Sequence, residues 1–163
     1  MDSGKILLGS VEHTNYGYTI DLPGTVEEIG AIKELPSGKQ PLLQDPSKVV
    51  VLHGATSMAL KEQLEDAAIL HLASHGIQDD QEPLESGFLM ADQKLTIKEL
   101  MKLSLPKAFL AVLSACHTAR GDDHQPDQTV HLAATMLFLG FKSVVATLWC
   151  VPYILLYVTS LLT

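Results

Sequence analysis

The sequence is poor in cysteine and in positive charge, and each deficit argues against a class of protein. Two cysteines among 163 residues, with no CxxC pair, cannot form a disulfide framework, which favours a reducing compartment such as the cytoplasm. Eleven lysines and arginines against 19 aspartates and glutamates give a net charge of −8, which argues against a nucleic-acid partner. The first residues also lack the basic-then-apolar order of a signal peptide. The composition predicts one acidic globular domain, or a fragment of one.

Charge is missing altogether from the C-terminal end, where no Asp, Glu, Lys or Arg occurs between residues 143 and 163. That length is close to the length of a membrane span. Residues 144–149, however, have the pattern of a buried strand, and Pro152 interrupts the remaining apolar run. We therefore expect an apolar tail at residues 152–163 that is too short for a membrane anchor.

Two short apolar runs end in reactive side chains, and they suggest a site. Residues 70–76 (LHLASHG) have His75 next to their end, and residues 110–116 (LAVLSAC) end at Cys116. Such runs are typical of strands buried on both faces of a parallel sheet, beyond whose carboxyl ends ligands bind. If the strands are neighbours, the imidazole and the thiol share one crevice as base and nucleophile. The backbone N–H groups of Gly76 and Cys116 are then candidate oxyanion donors.

Two other interpretations fit the same residues. Free cysteine is often buried as a small apolar side chain, so Cys116 can be a packing residue. A zinc site is the other alternative, because His71, His75, Cys116 and His117 carry the ligand atoms that zinc prefers. No dense ligand pattern supports a metal, and the sequence indicates no cofactor.

The order of strand and helix patterns predicts a mostly parallel, three-layer α/β domain, because strands alternate with helices along the chain. Thr25 with Glu28, and Thr96 with Glu99, read as capping boxes that start two of the helices. Gly140 is the expected residue after the end of a later helix. Residues 1–21 contain apolar segments at 6–8 and 16–20, which fit either two short strands or an ordered N-terminal arm, and no role is assigned to them. Strands are expected at residues 49–52, 68–73, 108–113 and 143–148, a small hairpin at 88–95, and helices at 25–35, 55–67, 96–103 and 130–139.

A longer series of motifs resembles the CHAT domain, a caspase-like module that is related to separase and is often joined to TPR repeats. The resemblance covers residues 22–151, most of the chain, in consistent order. The matching segments are 22–28 (LPGTVEE), 71–76 (HLASHG), 83–86 (PLES), 95–100 (LTIKEL), 113–122 (LSACHTARGD), 130–134 (VHLAA) and 144–149 (VVATLW).

The resemblance implies a caspase-like fold with a His/Cys dyad, in which His75 is the general base and Cys116 the nucleophile of a cysteine endopeptidase. The implied partner is a protein or peptide substrate, with TPR repeats or another regulatory protein as a second. Asp122 and Asp123, which come after the nucleophile, are candidate substrate contacts. Tyr153 stands where relatives carry an acid, so a basic P1 preference is not implied. The run after Trp149 departs from the family pattern, which predicts a fold truncated at its C-terminus.

The alternative is a catalytically inactive, truncated CHAT domain that serves as a scaffold or protein-interaction module. The His75–Cys116 pair favours the enzyme, whereas the departure beyond Trp149 favours the scaffold.

Overall fold

A computed structural model describes residues 4–17, 21–34, 45–79, 81–116 and 127–146 of the chain. Four helices and seven strands make up this part. The strands are β1 (Lys5–Ser10), β2 (Val49–His53), β3 (Ala67–Ile77), β4 (Gly87–Leu89), β5 (Lys94–Thr96), β6 (Leu110–Cys116) and β7 (Ser143–Ala146). The helices are α1 (Gly24–Lys33), α2 (Ser57–Leu64), α3 (Ile97–Leu100) and α4 (Asp127–Phe138), and 3₁₀ turns occur at Pro46–Lys48 and Pro83–Glu85.

Five parallel strands form the body of the sheet in the order β2-β1-β3-β6-β7. The β4–β5 hairpin is antiparallel and pairs with the last residues of β3. Because β6 occupies one edge of β3 up to His75, the hairpin lies along the other edge, past the end of β1. The predicted mostly parallel α/β sheet is confirmed.

The N-terminal residues, to which the sequence assigned no role, include an inner strand of the sheet. β1 lies between β2 and β3, with Leu7 opposite Val50 on one side and Leu70 on the other. Leu7 and Leu8 are fully or almost fully buried. This strand therefore supplies core side chains to both faces of the sheet.

The sheet buries apolar side chains on both faces, as expected of a three-layer domain. On one face, Ile29 of α1 packs against Ile6 and Leu8 of β1. On the opposite face, α2, α3 and α4 cover a larger cluster that includes Leu7, Leu70, Leu72, Leu60, Phe88, Leu100, Leu113 and Met136. Since strand residues alternate between faces, Ile69 of β3 faces α1, whereas Leu70 and Leu72 face the larger cluster.

The two predicted capping boxes have opposite outcomes. At α3 the prediction is confirmed: the Thr96 hydroxyl accepts from the Glu99 N–H, and the Glu99 carboxylate accepts from the Thr96 N–H. Burial raises the pKa of Glu99, but the hydrogen bonds from Thr96 and Lys61 outweigh it and leave that pKa lowered.

At α1 the capping-box prediction is wrong. The helix begins at Gly24, no side chain caps it, and the Thr25 hydroxyl donates to the carbonyl oxygen of Leu22. Thr25 therefore lies inside the helix, which leaves the Glu28 carboxylate available for a contact with the sheet.

The predicted end of α4 is confirmed. Gly140 has a φ of 112°, its N–H donates to the carbonyl of Leu137, and the next N–H, of Phe141, donates to Met136. This pair of bonds is a Schellman motif, which places a glycine where other residues would be strained. The buried Phe141 then leads the chain into β7.

Within the part of the chain that the structure describes, no helix combines the length and the apolarity needed to cross a membrane.

Candidate active site

His75 and Cys116 are direct register partners on neighbouring parallel strands, β3 and β6. Adjacent strands of a sheet lie about 4.8 Å apart, so the two backbones are as close as the sheet allows. His75 is buried, with 3% of its surface exposed. The expectation that the two strands are neighbours is therefore confirmed.

The sequence predicted that β3 ends by His75, and that boundary is wrong. The strand continues through Gly76 and Ile77, which pair with Phe88 and Gly87 of β4. The reason is that the hairpin offers a new edge where β1 has ended, so the backbone remains paired. His75 consequently lies inside a strand that is paired on both edges, with Leu89 on one side and Cys116 on the other.

Below the pair, two buried polar side chains, His71 and Ser114, and the partly buried Glu28 form one hydrogen-bonded group. The Nε2–H of His71 donates to Oε1 of Glu28 at 2.7 Å, and the hydroxyl of Ser114 donates to Oε2 of Glu28 at 3.0 Å. The His71 and Glu28 side chains are 6% and 14% exposed. We call Glu28, His71 and Ser114 the carboxylate bridge, because the Glu28 carboxylate joins α1 to both β3 and β6.

The carboxylate bridge lies on the same face of the sheet as position 75. His71 is four residues before His75 on β3, and Ser114 is two residues before Cys116 on β6, so the period of two places all four positions on one face. Ala73, the register partner of Ser114, is the small buried residue between the bridge and His75.

A second polar pair lies at the ends of the two strands on the other side of β3. Oγ of Ser10, at the end of β1, is 3.1 Å from Nδ1 of His53, at the end of β2. Ser10 is buried and is the register partner of Ala73, whereas His53 is exposed. Sequence reasoning missed both residues; the only available signal was their position at the end of an apolar run.

A cleft of about 500 Å³ lies beyond the end of β3, between the 3₁₀ turn, α3 and α4. Gln78 and Asp79 line it together with Leu84, Met101 and Phe138. Its helices pack on the sheet face opposite α1. The cleft therefore does not belong to the face on which His75 and the carboxylate bridge lie.

Some predicted site residues lie outside the described part of the chain. These are Asp122 and Asp123, and also Tyr153 and the tail at residues 152–163. The role of the Gly76 and Cys116 N–H groups as oxyanion donors stays a prediction. One residue of the zinc alternative, His71, has its Nε2 hydrogen-bonded to Glu28. The described residues contain no group of three or more His, Cys, Asp or Glu side chains that could hold a metal ion.

The mostly parallel sheet, flanked by helices on both faces and carrying a histidine opposite a cysteine on adjacent strands, is consistent with a caspase-like fold. The chain matches the CHAT domain over residues 9–156, and it belongs to the CHAT domain family. No individual curated protein matches the chain.

Proposed function

We propose that this CHAT domain is a cysteine endopeptidase-type hydrolase that cleaves a protein or peptide substrate. The observation that carries the proposal is the register pairing of His75 with Cys116 on adjacent strands. A cysteine becomes a useful nucleophile when a neighbouring base takes its proton, and a histidine one strand away is within reach of that role. Membership of the CHAT family supports the assignment of His75 as base and Cys116 as nucleophile.

The proposed reaction has two steps. His75 takes the thiol proton, and the thiolate of Cys116 attacks the carbonyl carbon of the scissile peptide. The C–N bond breaks, the amine leaves with the proton held by His75, and a thioacyl intermediate remains on Cys116. Water, deprotonated by His75, then attacks the thioester and releases the carboxylate and the free thiol. The N–H groups of Gly76 and Cys116 are the proposed donors to the oxyanion in both steps.

Labelling with a peptidyl acyloxymethyl ketone, which alkylates an active-site cysteine, tests the proposal. The chain carries its own control, because Cys150 is the second thiol. We expect peptide mapping to find the adduct on Cys116. The Cys150→Ser variant should be labelled fully, and the Cys116→Ala variant should not be labelled. Labelling of Cys116 no faster than that of a free model thiol at pH 7 would contradict the peptidase and leave the inactive scaffold as the better account.

A further inference from the structure

The carboxylate bridge contains a partly buried acid, Glu28, that neither helix capping nor the proposed chemistry uses. Glu28 lies near the start of α1, and its carboxylate accepts hydrogen bonds from His71 on β3 and Ser114 on β6. A partly buried carboxylate loses part of its hydration, which hydrogen bonds offset, and here each oxygen accepts from one of these donors. The two donors come from the two strands that carry His75 and Cys116.

The distance from the bridge to the pair is short. A strand rises about 3.3 Å per residue, so Ser114 lies about 7 Å before Cys116 and His71 about 13 Å before His75 along their strands. Between the bridge and the pair, β3 and β6 remain in one unbroken register, with Ala73 opposite Ser114 and His75 opposite Cys116. A shift of one strand relative to the other at the bridge is therefore transmitted to the His75–Cys116 pair.

The local sequence at the start of α1 has the same pattern that forms a capping box at α3. Without the bridge, a threonine followed three residues later by a glutamate would favour a capping box, as Thr96 and Glu99 form at α3. In α1 no side chain caps the helix, and the Glu28 carboxylate bonds across the sheet instead.

We propose that Glu28 is a positioning residue, which acts through His71 and Ser114 to hold the ends of β3 and β6 in the relative position that the His75–Cys116 pair needs. The proposal rests on the proposed function for its catalytic consequence. The proposal also states that removal of the carboxylate changes the environment of Cys116, and this part does not depend on peptide hydrolysis.

The test compares Glu28→Gln with Glu27→Gln, a matched variant at an exposed neighbouring position of the same helix. The measured quantities are the alkylation rate of Cys116 by iodoacetamide across pH, in a Cys150→Ser background, and kcat and KM for a peptide that the wild type cleaves. For Glu28→Gln we expect at least a tenfold loss of kcat with KM changed less than twofold, because misplacement of reacting groups by about 1 Å has effects of that size. The alkylation profile should also shift toward that of a free thiol, while Glu27→Gln behaves as the wild type.

Ser114→Ala is the second variant, which removes one arm of the bridge and keeps the Glu28–His71 bond. It should change both measurements in the same direction by a smaller factor. Folded variants with a lower Tm but an unchanged alkylation profile and unchanged kcat would overturn the proposal, since the bridge would then serve stability alone. If the wild type cleaves no peptide while Glu28→Gln still alters Cys116 alkylation, the peptidase fails and the positioning role holds.

Discussion

Replacement of His75 with alanine is expected to slow the alkylation of Cys116 at pH 7 by about 30-fold. A free cysteine has a pKa near 8.5, so only about 3% of it is thiolate at pH 7, whereas a thiol that has given its proton to a neighbouring imidazole is almost fully ionised. The two residues are register partners on adjacent strands, so His75 is the described histidine best placed for this transfer. The rate is measured with iodoacetamide from pH 5 to pH 10 in a Cys150→Ser background.

The matched control is His53→Ala, which removes an exposed histidine from the end of β2, two strands away from β3. This variant should show the same pH dependence of Cys116 alkylation as the wild type. Equal profiles for the wild type and His75→Ala would show that the thiol is not activated by the imidazole, and the dyad would be lost.

Replacement of Gly87 with alanine is expected to lower the free energy of unfolding by about 3 kcal/mol, the upper part of the range for an overpacked core. A Cβ at Gly87 would overlap the carbonyl group of Leu95 and the Cα of Thr96 in the partner strand β5. Both are backbone, which cannot rotate away as a flexible side chain can. For a domain of this size the change corresponds to a decrease in Tm of about 6–12 °C, measured by calorimetry.

Gly30→Ala supplies the control for this variant. Gly30 lies within α1, where a Cβ would meet nothing within 4 Å, so alanine should raise stability by about 0.4–1 kcal/mol through the unfolded chain. An unchanged Tm for Gly87→Ala would mean that the hairpin is not packed as the structure has it. Because Gly87 pairs with Ile77, an opened hairpin should also weaken the end of β3 that carries His75.

The fold and the central pair were predictable because their signals are local and periodic. The runs that became β3 and β6 are mostly apolar, and a parallel sheet brings their carboxyl ends to one edge. The register could not be read from the sequence, because it comes from backbone pairing, which places His75 opposite Cys116. The place of β1 was also not predictable, because Lys5–Ser10 is too short to identify its partners without the rest of the sheet.

Glu28 shows why part of the site was missed. A threonine and a glutamate three residues apart have the same local pattern in α1 and α3, yet only the pair in α3 forms a capping box. The difference lies in the tertiary contacts: His71 and Ser114 present two donors to Glu28, and these are distant from it in sequence. The length of β3 was missed for a similar reason, because its last residues pair with a hairpin that comes later in the chain.

The central claim is that the chain cleaves peptide bonds through an acyl group on Cys116, and one measurement tests it directly. A peptide library incubated with the chain in the presence of hydroxylamine, and analysed by mass spectrometry, reports both cleavage and the intermediate. A thioacyl group divides between water and hydroxylamine, so new C-termini should appear partly as hydroxamates with the wild type and not at all with Cys116→Ala. Peptide hydrolysis through Cys116 is contradicted if the wild type yields no new C-termini, or if Cys116→Ala yields them at the wild-type rate.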